Sequence, residues 1–326
     1  MAKGMTDTSA PVISADAVAT VLRGDLAHGD AQIGTIAPIL RHLLANDQHS
    51  LFADEIVACV RGMCGDVARQ LLDRLAVAAG GKEGQEHRPE RIEALVDSLV
   101  AHSGFLGHVH ALALEWQLTE RLQARQALDP VLSPLLEALI SSSDPAVAAD
   151  GMALLAAQAR WVQAQRRMQL PLTELPGDLL HAAILAMRGQ ACSDDEGQAA
   201  ANAAERSIRE SYDEARTRLG IAAGLLAGMG GGAAAALSVS HAGVALFISA
   251  LALASGQDRD MAVLATGEGQ QARLALTLRA AGLKQAKVEE QFVSLHPEAA
   301  LPQGFEQLGA DTAAALLARS APYPGC

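Results

Sequence analysis

Aromatic side chains are scarce in this chain: five Phe, two Tyr and two Trp among 326 residues. With 50% of the residues hydrophobic and only 3% aromatic, the core must be built from Ala, Leu and Val. Where Ala and Leu dominate, the backbone favours helix. Runs of Val, Ile, Thr and Tyr alternating with period two are missing, and their absence excludes a sheet. Positive charge is in deficit, with 25 Lys and Arg against 37 Asp and Glu, a net −12. That balance favours solubility and argues against nucleic acid as a partner. Cysteine is rare too. Cys59, Cys64, Cys192 and Cys326 match no zinc ribbon or redox pair. Cys59 and Cys64 fall among Ile56, Val60, Met63 and Val67, as buried thiols do, and a reducing cytoplasm is the expected location. The first twelve residues, MAKGMTDTSAPV, have no apolar h-region, so no secretory signal is expected.

Charge is missing altogether from Leu219 to Gln257, where His241 is the one ionisable side chain. A bilayer span needs about 20 mostly apolar residues. This run is long enough, but glycine interrupts it at Gly220, Gly224, Gly228, Gly230, Gly231, Gly232 and Gly243. No Trp/Tyr belt or Lys/Arg asymmetry flanks it. The reading is therefore at least two buried helices at the centre of a C-terminal domain, with no membrane span. Gly228 to Gly232 is not a phosphate loop: no strand precedes it and no Lys-Ser/Thr follows it.

Helical spacing recurs along the chain. A short helix is expected from Ser14 to Leu22, stopped by Gly24, and a second from Ala31 to Leu44. Val57, Val60, Cys64, Val67, Leu71 and Leu75 step by three and four, forming one face of a third helix that ends at Gly80-Gly81. The polar stretch GGKEGQEHRPE then reads as a linker. Further helices are expected from Ile92 to Leu99 and from Phe105 to Ala127. Asp129-Pro130 and Asp144-Pro145 each offer a capping carboxylate and a proline suited to the first helical position. Asp178 is a third cap. GQACSDDEGQ is a second linker, followed by one long helix from about Arg209 to Ala227. Shorter helices follow at Ala242–Ala254, Arg259–Ala265, Gln270–Ala281, Gln285–Leu295 and Asp311–Arg319. The linkers divide the chain into an N-terminal helical region (1–80), a middle one (89–188) and an Ala/Gly-rich C-terminal domain (198–326). The fold class expected is all-α, either a HEAT-like helical array or an irregular multi-helix bundle.

The stretch from His241 to Phe292 carries Leu246-Phe247, Ala250-Leu251-Ala252, Ser255-Gly256, Val263-Leu264 and Ala280-Ala281-Gly282-Leu283. With these residues the chain resembles an uncharacterised family of helical, HEAT-like domains found mostly in alphaproteobacteria. SLFADEIVACVRGM and SSSDPAVAADGMALLAAQARW fit the same family more loosely. The resemblance implies a fold and no reaction.

Candidate chemistry is thin. His102, His108 and His110 are the densest histidine cluster, but ligating pairs on helices sit four apart, so no shared zinc is expected. No GxSxG elbow is present, and Asp194-Asp195 and Glu289-Glu290 read as solvated surface. The exposed group singled out is Arg160, Trp161 and Arg167: basic residues on one stripe beside a ring, suited to an acidic protein partner. The functional expectation is a non-catalytic scaffold or adaptor that binds another protein, needs no cofactor and has the option of homo-oligomerisation. The alternative is a small-molecule binder or enzyme with a pocket in the Ala/Gly-rich core around His241.

Overall fold

The computed structural model describes residues 14–45, 55–81, 87–191 and 194–320. Every regular element among the described residues is a helix, and none is a strand. In order these are α1 (Ala15–Ala45), α2 (Glu55–Ala78), α3 (Pro89–Ala101), α4 (Ser103–Gln126), α5 (Pro134–Ile140), α6 (Pro145–Gln165) and α7 (Gly177–Arg188). Then come α8 (Asp195–Glu210), α9 (Arg218–Gly228), α10 (Val239–Ser255), α11 (Arg259–Leu264), α12 (Gln271–Ala280), α13 (Gln285–Leu295) and α14 (Ala310–Ala318). The all-α expectation holds.

Several boundaries move. The two helices expected before residue 45 are one, because Leu22, Leu26, Gly29 and Ile33 continue a single buried face across Gly24. Here tertiary packing outweighs the roughly 1 kcal/mol that glycine costs inside a helix. Asp129 accepts from the amides of Val131 and Leu132 without starting a helix, and the true cap is Ser133, whose hydroxyl accepts from Leu136 N. Asp144 caps α6 as expected, through Ala146 N at 2.9 Å. The long helix expected from Arg209 to Ala227 is broken: α8 ends at Glu210, and Thr217 caps a fresh start at α9 by accepting from Gly220 N. Arg218 is thereby carried inward.

The helices bury two main cores. One gathers the N-terminal half of α1, part of α4, and α5, α6 and α9 to α14, with Phe247, Phe292 and Phe305 at its centre. The other gathers α2, α3, α7, α8 and the opposite side of α4. The regions 1–80, 89–188 and 198–326 therefore do not each hold a core of their own. Leu135 and Leu154 join the C-terminal helices, while Leu179 and Ile184 join α2. In a stacked array each repeat touches only its neighbours. Here α2 packs on α8, and α1 on α12 and α14, so the helices close on themselves as an irregular bundle.

The uncharged run is only partly interior. Leu246, Phe247, Ile248 and Leu251 of α10 are buried. The outward face of α9 and the 3-10 segment Gly230–Leu237 leave Ala223, Ala227, Gly231, Ala234 and Ala235 exposed, which corrects the expectation of two wholly buried helices. Among the described residues no single helix is long and apolar enough to cross a membrane. One pair, Gly230–Leu237 with Val239–Ser255, meets the length and composition together but is bent by 114°.

Gly243 sits inside α10 at φ 72 and ψ 167, a backbone region essentially reserved for glycine. A Cβ there would lie 3.1 Å from Ser133 Cβ. Gly243→Leu would overpack this contact, and the backbone supplies a second cause, which even alanine would feel. Gly243→Ala should cost about 1–3 kcal/mol, read as a shift in urea midpoint with an unchanged slope. A variant as stable as the parent would mean that α10 straightens without penalty.

Candidate functional site

α4 positions the site. His102 begins it, with Nδ1 accepting from Phe105 N at 3.1 Å. Of the 24 residues that follow, most are buried, and different stripes do different work. His110, Leu114, Gln117 and Arg121 step by four, three and four, and so share one face. That face floors a cleft of about 650 Å³. Gln32, Ile33 and Ile36 of α1 form one wall, Glu55 and Ile56 of α2 a second, and the turn from Leu264 to Gln270 a third. The volume lies within the range that holds a drug-sized ligand, roughly 300–1,000 Å³.

The walls are close-fitted. Gln270 is buried and donates through Nε2 to Gly29 O at 3.0 Å. A Cβ at residue 29 would fall 2.6 Å from Gln270 Oε1, so a larger residue there would push the end of the Gln270 side chain aside. Gln270 Oε1 itself has no hydrogen-bond partner, and neither has Arg121 Nε. Burial raises the Glu120 carboxyl, Glu55 raises it further, and Arg166 opposes both. Arg121 is lowered by burial and by Arg125, with Glu268 acting the other way.

A different stripe of α4 carries a buried ion cluster. Glu115 is fully buried, and both its oxygens are taken by two guanidinium groups. Arg218 donates to Oε1 at 2.7 Å and to Oε2 at 3.1 Å, and Arg259 to Oε2 at 3.0 Å and to Oε1 at 2.9 Å. Arg218 also lies 4.2 Å over the Trp161 ring and reaches Gln158 Oε1, while Arg259 donates to Ser249 Oγ. Burial would raise the Glu115 carboxyl, but the two arginines outweigh it and hold the group well below the usual carboxylate range. The cluster ties α4, α6, α9, α10 and α11 together behind the cleft floor.

The sequence-predicted group of Arg160, Trp161 and Arg167 does not form one surface. Arg160 and Arg167 are exposed, but Trp161 is 4% exposed and packs edge-on against Trp116 at 5.8 Å between centroids. Helix α6 also ends at Gln165, so Arg167 leaves the stripe on which helical spacing placed it. The ring packs in an apolar cluster with Trp116, Val162 and Val131, under the Arg218 guanidinium.

The histidines diverge. His108 points to Asp260, with Nδ1 2.9 Å from Oδ2, while His110 turns to the cleft and His102 caps α4. Among the described residues no group of three or more His, Cys, Asp or Glu could hold a metal ion. Around Gly243, near His241, there is only a crevice of about 30 Å³, room for roughly one water. Cys59 and Cys64 are free buried thiols, pushed up to about 11 and about 12, chiefly by burial. Cys192 and Cys326 lie outside the described residues.

Sequence reasoning missed Glu115 and Arg218. The available signal was a lone acid within HALALEWQL and an arginine immediately before the uncharged run. Compared with protein-family models, curated proteins and solved structures, the chain matches none.

Proposed function

We propose that the chain is a non-catalytic binding protein whose ligand occupies the cleft floored by α4. The observation that carries this reading is the cleft itself: its volume suits a small molecule, and Glu55, Glu120, Arg121 and Gln270 line it beside the apolar Ile33, Ile36, Leu114 and Leu264. The ion cluster behind the floor supports it, since a braced α4 holds the lining side chains in fixed register.

The test is a fragment screen by ligand-observed NMR on the parent and on Leu114→Trp, which fills the floor. Binders that disappear in the variant support the reading. Binders that persist unchanged, or the absence of any, count against it.

The adaptor reading retains one observation, the exposed uncharged surface around Ala227, Gly231 and Ala234 in a chain of net charge −12. If that face docks a second copy, sedimentation gives a dimer that Ala227→Glu with Ala234→Glu dissociates. A monomeric parent removes that form of the reading.

A further inference from the structure

We infer that the cleft takes a small organic cation, an ammonium group on an apolar body, whose charged end is held by Glu55 and Glu120. The inference rests on the cleft reading above and adds the chemistry of the ligand.

The charge of the lining comes first. Three carboxylates, Glu55, Glu120 and Glu268, face one guanidinium, that of Arg121. Arg121 already feels Glu268 on one side and Arg125 on the other. Glu120, on α4, feels the charge of Glu55, the first residue of α2, and both line the cleft. Among the described residues neither forms an ion pair. Arg166, the one cation acting on Glu120, is exposed beyond the end of α6 and offsets only part of what Glu55 adds. Two like charges brought together, Glu120 half-buried and Glu55 exposed, are relieved by a positive group placed between them. The chain's overall charge of −12 draws cations toward the same place.

A second observation is independent of the carboxylates. Gln270, 7% exposed, lines the cleft, and its Oε1, packed beside Gly29 at the cleft wall, has no hydrogen-bond partner among the described residues. Its Nε2 is committed to Gly29 O, so its carbonyl oxygen is fixed in place. A buried acceptor left unpaired is costly, and it calls for a donor. An ammonium group supplies three donors and no acceptor. Carboxylates and an unpaired amide oxygen thus ask for the same chemistry. The rest of the lining sets the body: Ile33, Ile36, Leu114, Leu118 and Leu264 offer apolar surface, and about 650 Å³ is far more than a bare ammonium ion fills.

Calorimetric titration of the full chain with three probes of one shape tests this: 4-phenylbutylamine, 4-phenylbutanol and 4-phenylbutyrate. The amine should bind at least about tenfold more tightly than the alcohol, the ratio one strong charge contact gives. In Glu55→Gln with Glu120→Gln that advantage should vanish, leaving amine and alcohol alike. Added salt should weaken the amine and leave the alcohol unchanged. The double variant should stay folded and melt within a few degrees of the parent, since Glu55 contributes only its place in the first turn of α2 and neither carboxylate forms an ion pair among the described residues; a variant that unfolds overturns the assignment of these groups to a ligand. Amine binding of equal strength in parent and variant overturns it as well. Preferential binding of the butyrate, lost in Arg121→Leu, keeps the cleft as a binding site and refutes the cation. If none of the three probes binds, both readings fall.

Discussion

Glu115→Ala should lower stability by about 3–5 kcal/mol. The reason is what stays behind. Arg218 is 1% exposed and cannot swing to water, and Arg259 is anchored on Ser249. Removing the carboxylate leaves two guanidinium groups facing each other in the core with four hydrogen bonds gone. Replacing the whole cluster is a different experiment. Glu115→Leu with Arg218→Met and Arg259→Met removes every charge together, and such exchanges are often neutral or better. The triple variant should regain most of what the single one loses. Urea unfolding of the three proteins decides it, and a Glu115→Ala variant within about 1 kcal/mol of the parent would mean that water or backbone solvates the arginines.

The same cluster sets a pH dependence. The folded Glu115 carboxyl titrates below its unfolded value, so folding holds it ionised. Its contribution is complete above the unfolded value, about 4.3. It is lost as pH falls from there through the depressed folded value. Parent and Glu115→Ala should therefore differ most near neutrality and draw together below about pH 4.

The parts of this architecture that were legible in the sequence are those fixed by neighbours along the chain. α2 was visible because one face repeats at three and four residues, and the helices from Arg259 onward because glycine or proline ends them. Local signals failed where distant partners decide. Nothing near Gly24 reveals that the face around Leu22 and Leu26 continues to Ile33, which packs on Met261 and Leu264 of α11. The cleft was illegible for the same reason, since its walls come from residues more than 200 positions apart, such as Gln32 and Gln270. Trp161 was grouped with Arg160 and Arg167 because Arg and Trp side by side suit a docking surface. The guanidinium that lies over it belongs to Arg218, and only the break between α8 and α9 brings that residue there.

Asp30→Ala should cost about 3–5 kcal/mol by a parallel route at the other side of the molecule. Arg273 on α12 is 2% exposed and pairs with the Asp30 carboxylate on α1, while Ser320 just past α14 donates to both Asp30 oxygens. Three elements distant in sequence are thus closed on one carboxylate. Burial lowers the Arg273 pKa and Asp30 acts against that shift, so the carboxylate is what makes the buried charge tolerable. Without it Arg273 keeps, among the described residues, only the Ser320 hydroxyl, at 2.7 Å, and its Nε has no partner among them. The loss should be localised. Hydrogen exchange should quicken in α14 and the N-terminal half of α1 before it does in α2 or α3, which belong to the other core. Asp30→Asn, which keeps an acceptor but not the charge, should fall between parent and alanine. Exchange that rises evenly over both cores, or a variant as stable as the parent, would show that Arg273 is satisfied without Asp30.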